Sequence, residues 1–244
     1  MTRLAMVLNL DRCIGCWACA VACKQENSVG EGLWWQSVDT IGGPTLDTSF
    51  GVFPDVQKYY RPRNCFHCAS PPCLPVCPTG ALSKRADGIV EIIEAKCIGC
   101  GLCVPACPYD AIEINAVDPI LPHGLEDGHG AAEVAPRKAG MVEKCTFCSH
   151  RVDMGQQPAC VAACPTNVIT FGDVDDPESS VHAAASDPRA FRIDEETGAE
   201  PSTWYLPATA ASKQRRSGNP HNHRDLSQSA KTGPSTAREG KPRG

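Results

Sequence analysis

Sixteen cysteines stand in four groups of four with none left over: Cys13, Cys16, Cys19, Cys23; Cys65, Cys68, Cys73, Cys77; Cys97, Cys100, Cys103, Cys107; and Cys145, Cys148, Cys160, Cys164. The first and third groups read C-x2-C-x2-C-x3-C, and the last three end in Cys-Pro. A tight loop with a thiolate at every third residue can reach three iron corners of a cubane, and the fourth corner must be met from elsewhere in the chain. The chemistry this spacing allows is one-electron transfer at [4Fe-4S] clusters. Gly15, Gly99 and Gly101 let the backbone fold closely around sulfur, so that amide N–H groups point at it. Pro78, Pro108 and Pro165 follow the last cysteine of their groups, where the chain must turn and a missing N–H costs little. Lys24 breaks that pattern after Cys23.

Competing uses of cysteine fit less well. Structural zinc takes two separated Cys-x2-Cys pairs around one tetrahedron, and three cysteines within seven residues crowd that geometry. Disulfide frameworks belong mainly to short secreted chains, and a redox-active Cys-x-x-Cys needs one pair. His67 would replace a cysteine ligand only in a Rieske-like site, yet its group already has four cysteines, so a hydrogen-bonding or surface role is expected there and for His150. Trp17, between two ligands, reads as a packing residue. The spacing is that of bacterial ferredoxins, and four cubanes are expected.

Composition agrees. Four Trp, four Tyr and six Phe in 244 residues promise a modest apolar core, so metal binding should be part of folding. The formal charge of −5 counts cysteines as neutral. Each oxidised cubane with four thiolates carries about −2, so four of them add roughly −8. Arg12, Lys24, Arg61, Arg63, Lys84, Arg85, Lys96, Lys144 and Arg151 lie near the cluster loops. They are either solvated surface or charges that offset the clusters and raise their reduction potentials. Residues 213–244 hold eight Lys or Arg against two acidic residues, and are expected to be a disordered basic tail. With no aromatic residue to stack on bases and no apolar helical face, that tail points to neither nucleic acid nor a membrane surface. No apolar run approaches the roughly twenty residues of a spanning helix, and the N-terminal apolar stretch is too short for a signal peptide.

The elements that must position these loops are short. Leu4–Leu10 reads as a strand leading into the first group, Ala18–Gln25 as a helix, and Ala81–Ile93 as a hairpin turning at Asp87-Gly88. Ala111–Asn115 and Val168–Phe171 read as further strands after the third and fourth groups. This is an internal repeat of strand, cluster loop, short helix and strand, each copy too small to fold alone. Residues 27–60 show little periodicity, and their Trp34, Trp35, Phe50, Phe53, Tyr59 and Tyr60 are expected to pack inward. The expected class is α+β: two dicluster ferredoxin-like units, one inserted in the other, with short strands, short helices and long loops. The outer unit would comprise residues 1–26 plus 141–175 and the inner unit 55–118. Connecting loops would span 27–54 and 119–140, followed by an extended C-terminal wrap over 176–212.

The four-group order, the Cys-Pro endings, Gly51–Val56, Cys145-Thr-Phe-Cys148 with Arg151, and Trp204-Tyr-Leu-Pro207 resemble the electron-transfer subunits of the dimethyl sulfoxide reductase family of molybdopterin oxidoreductases. That family includes the subunits of dimethyl sulfoxide, polysulfide or thiosulfate, tetrathionate and arsenate reductases. The resemblance implies crossed ligation. One cluster would take Cys13, Cys16, Cys19 and Cys164; a second Cys23, Cys145, Cys148 and Cys160; a third Cys65, Cys68, Cys73 and Cys107; a fourth Cys77, Cys97, Cys100 and Cys103. It further implies a non-catalytic subunit that wires a molybdopterin catalytic subunit, at the Cys13 end, to a quinone-reactive integral membrane anchor at the Cys97 end. Such a subunit works in anaerobic respiration and sits peripherally in a membrane-associated complex, cytoplasmic or exported by attachment to its partner. The alternatives are the equivalent subunit of a formate dehydrogenase or hydrogenase, or a free-standing polyferredoxin.

Overall fold

The protein is described by a computed structural model covering residues 2–42, 48–49, 51–116, 130–134 and 137–208. The basic tail, Phe50 and most of the 119–140 connection lie outside the described residues.

The centre is a three-stranded sheet. Strand β1 (Leu4–Asn9) lies in its middle, antiparallel to β8 (Ile169–Asp173) and parallel to β9 (Thr203–Leu206). Both faces of β1 are covered, which is why it reads as an unbroken apolar run rather than an alternating one. Met6 and Leu8 join the main core with Phe66, Phe147, Phe171 and Tyr205. Ala5 and Val7 face Val174, Val181 and Trp204 in a smaller core. Strand β1 delivers the chain to the first cysteine loop, and β8 leads it away from the last.

The remaining sheets have two strands each: β2 (Ser37–Ile41) with β3 (Tyr59–Arg63), β4 (Leu82–Lys84) with β5 (Val90–Ile92), and β6 (Glu113–Ile114) with β7 (Val142–Glu143), all antiparallel. The helices are α1 (Ala18–Glu26), α2 (Cys103–Ala106), α3 (Ser149–Val152), α4 (Ala159–Ala162) and α5 (Ser180–Ala185). Each of the first four begins beside or carries cysteines, whereas α5 packs on β8 and is capped by Ser179 Oγ accepting from the His182 amide at 3.1 Å.

Two segments differ from their sequence reading. Residues 27–60, aperiodic in sequence, contribute β2 and run into β3, whose Pro62 stands opposite Val38. A proline inside a strand masks the strand pattern and is tolerated here because β3 has no neighbour on its other side. Trp35 packs inward, but Phe53 is 88% exposed and Trp34 39% exposed, so those aromatics do not all serve the core. The segment after 176 is not simply extended. It forms α5 and then returns as β9, where the buried Tyr205 hydroxyl donates to the Pro62 carbonyl at 2.9 Å and fastens β3 to the central sheet.

Candidate iron–sulfur sites

All sixteen cysteines are free thiols, so no disulfide competes for them. Their loops share one backbone device. The residue before the second cysteine of each group has positive φ: Gly15 at 70°, His67 at 43°, Gly99 at 67° and Phe147 at 53°. This left-handed residue curls each Cys-x-x-Cys so that amides face sulfur; the Phe147 amide lies 3.4 Å from Cys145 Sγ. At Gly15 the glycine also has no alternative, because a Cβ would sit 2.5 Å from the Tyr60 ring. In the second and fourth loops the position carries rings instead. His67 and Phe147 stack with centroids 3.7 Å apart, joining the second cysteine group to the fourth.

The cysteines converge across groups. Cys13, Cys16, Cys19 and Cys164 line one cavity. Cys65, Cys68, Cys73 and Cys107 line another, and Cys77, Cys97, Cys100 and Cys103 a third. The remaining four are the most deeply set: burial first, and then the charges of Cys23, Cys145 and Cys148, drive the Cys160 thiol far above its ordinary range. The Asn27 amide lies 3.8 Å from Cys23 Sγ and 3.7 Å from Cys148 Sγ, bridging two members of that set.

These residues fit iron–sulfur clusters. The cavities are lined by sulfur. N–H donors also await thiolate charge: the Ala81 amide lies 3.3 Å from Cys77 Sγ and the Val168 amide 3.2 Å from Cys164 Sγ, the same turn repeated after two Cys-Pro-Thr segments. The Leu82 amide, and then the Thr79 hydroxyl, pull the Cys77 thiol down to about 7. In the interior the direction reverses, and burial pushes the Cys19, Cys73 and Cys145 thiols up to about 12. Buried thiolates there need cationic iron to form, which ties cluster insertion to proton release.

Several contributors were not visible in the cysteine spacing. Asn27 and Asn64 are both 2% exposed, and the Asn64 amide lies 3.6 Å from Cys145 Sγ and 3.7 Å from Met6 Sδ. Asn64 directly precedes Cys65, but an asparagine beside a cysteine carries no pattern of its own. Asn27→Leu keeps the volume and removes the donor to both sulfurs; its expected result is a lower reduction potential for the cluster bound nearest Cys23, with unchanged iron content, read by redox titration. His67 is fully buried, and its Nδ1 accepts from the Val90 amide at 3.0 Å, a hydrogen-bonding role and not a surface one. His150 meets Glu26 at 2.9 Å, and Trp17 packs edge-on against Trp34.

Short strands and helices holding sulfur-lined cavities define a ferredoxin-type protein. Two models described as 4Fe-4S dicluster domains match the chain, one over residues 56–121 and 132–174 and the other over residues 12–81. Curated relatives carry the comparison further. A dimethyl sulfoxide reductase iron-sulfur subunit from Halobacterium salinarum is 45% identical over 84% of this chain and 79% of its own length. The arsenate respiratory reductase iron-sulfur subunit of a Shewanella species is 35% identical, covering 84% and 96% respectively. A sulfite dehydrogenase subunit from Allochromatium vinosum is 36% identical, covering 85% and 84%. The chain belongs to the iron-sulfur subunits of the dimethyl sulfoxide reductase family.

Proposed function

We propose that the chain is the electron-transfer subunit of a respiratory molybdopterin oxidoreductase and holds four [4Fe-4S] clusters in the crossed sets Cys13/Cys16/Cys19/Cys164, Cys23/Cys145/Cys148/Cys160, Cys65/Cys68/Cys73/Cys107 and Cys77/Cys97/Cys100/Cys103. Each cluster, when bound, would supply a one-electron redox site, which suits a path between two-electron reactions at its ends. The chain's own residues hold the sulfurs, exclude water from the middle sets and expose the end ones. It makes and breaks no substrate bond.

The observation that carries this reading is the placement of exposure. Cys16 and Cys100 are the two exposed cysteines, one in each end set. Ile14 (59% exposed) and Val21 flank the first, and Ile98 (68% exposed) and Leu102 flank the second. Each end therefore offers an apolar surface next to a cluster site, as docking on two different partners requires. Following the family, the Cys16 face would meet a catalytic subunit and the Cys100 face a quinone-reactive membrane anchor. No helix among the described residues is long and apolar enough to cross a membrane, which leaves spanning to such a partner.

The nested arrangement is supported by pairing of β1 with β8, which brings residues from before the first cysteine group against residues after the fourth. Relatives named both reductase and dehydrogenase share the chain, so wiring of either direction is compatible with it. Anaerobic purification tests the reading: a stable complex with a large molybdenum-containing subunit, and about sixteen irons in this chain, is expected. A monomer that holds its iron and binds no such subunit would favour the free-standing polyferredoxin.

A further inference from the structure

Of the nine basic residues near the cysteine loops, Arg12 and Lys96 are exposed, and the structure sorts the other seven by partner. Arg61 and Arg63 pair with Asp39, Arg85 with Asp87 and Asp153, and Arg151 with Glu26. Lys84 donates to the Ala69 carbonyl from an exposed position. Lys24 is half-buried and lies over the Trp34 ring. Lys144 differs from all of these. It is 1% exposed, it donates to the carbonyls of Val90 and Cys145, and among the described residues it has no carboxylate partner. The neighbouring Glu143 does not serve it, because that carboxylate is taken by Trp35 and Asn115 at 3.3 and 3.2 Å.

An ammonium sealed from water without a counter-ion is costly, and a chain retains one where negative charge lies close by. The large negative charge that would balance it here is that of thiolate-bound clusters. Lys144 adjoins Cys145 and donates to its carbonyl, and the Val90 that it also meets lines the pocket of Cys65, Cys68, Cys73 and Cys107, so it stands between two of the four cysteine sets. The Val90 carbonyl that receives its ammonium belongs to the residue whose amide donates to His67, whose ring lies on Phe147. The cation is thus built into the junction between the second and fourth cysteine groups.

We propose that Lys144 is a fixed counter-charge that raises and couples the reduction potentials of the two central clusters, held by Cys65/Cys68/Cys73/Cys107 and Cys23/Cys145/Cys148/Cys160. The inference rests on the ligand sets proposed above. When one electron leaves a reduced central cluster for its oxidised neighbour, the total charge facing Lys144 is unchanged and no proton need move. Lys144 therefore favours having an electron at the junction while opposing neither direction of hopping within it. Lys144 is a positioning charge and not a ligand.

The test is an EPR-monitored redox titration of the complete holoprotein as wild type, Lys144→Gln and Lys144→Arg, with end-cluster signals assigned through Cys16→Ser and Cys100→Ser. In Lys144→Gln the one-electron reduction equilibrium of both central clusters is expected to fall at least tenfold, which is 59 mV per tenfold, with the end clusters moving far less. Lys144→Arg should stay near wild type. If Gln prevents cluster assembly while Arg permits it with native potentials, the requirement for positive charge stands. Unchanged central potentials, an equal shift of all four clusters, or failure of both variants to assemble would overturn the inference. A wild type without four clusters would instead reject the ligand sets themselves.

Discussion

Chelating the iron from the reduced protein is expected to unfold it. The apoprotein should lose most of its far-UV circular dichroism and show no cooperative melt, and restoring iron and sulfide should recover both. The expectation follows from how little of this fold stands without metal. Among the described residues, three of the four sheets have only two strands and the longest helix has nine residues. Isolated hairpins are marginal in water, and lone helices shorter than about 12–15 residues do not persist. What holds these pieces is a core whose members include Cys19, Cys23, Cys65, Cys68, Cys145 and Cys160, with a second, smaller core containing Cys73 and Cys103. Cysteines in such positions contribute as crosslinks through metal, and the cavities between them would otherwise fill with water or collapse. Native-like cooperative melting of an iron-free sample would refute this.

The second large effect discriminates how the groups share ligands. Cys164→Ser should damage the same cluster as Cys13→Ser, and both should leave the spectrum of Cys145→Ser distinct, although Cys164 belongs to the Cys145 group in sequence. The reason is spatial: Cys164 lines the cavity of Cys13, Cys16 and Cys19, and the charges that act on Cys13 include Cys164 and Cys16. The 3.2 Å contact from the Val168 amide holds that sulfur in place. Roughly a quarter of the iron should be lost or left as a three-iron remnant, and electron delivery through the Cys16 face should stop. If Cys164→Ser and Cys145→Ser gave the same spectrum instead, ligation would be within groups and the crossed sets would be wrong.

Much of this molecule is legible because cysteine spacing is a local signal. The repeat C-x2-C-x2-C-x3-C names its chemistry within eleven residues, and the apolar run at Leu4 and the Asp87-Gly88 turn mark β1 and the β4–β5 hairpin directly. What escapes reading depends on contacts made at long range. Strand β9 forms only by lying parallel to β1, and β3 is disguised by Pro62. Asn27, Asn64 and Lys144 look like ordinary polar residues until burial places their donors among sulfurs and carbonyls. The nine basic residues near the loops cannot be sorted from sequence, since solvated and sealed cations have the same letters.

The left-handed residue in each cysteine loop also bears on how such a protein can be reused. At the two ends it is glycine, with nothing projecting from the loop; in the middle it is His67 and Phe147, locked ring against ring. Ile14, Val21, Ile98 and Leu102 are exposed, so changing them would alter the proposed docking faces without disturbing the interior. On the proposed docking faces, the interior conductor and the exposed connectors can vary independently.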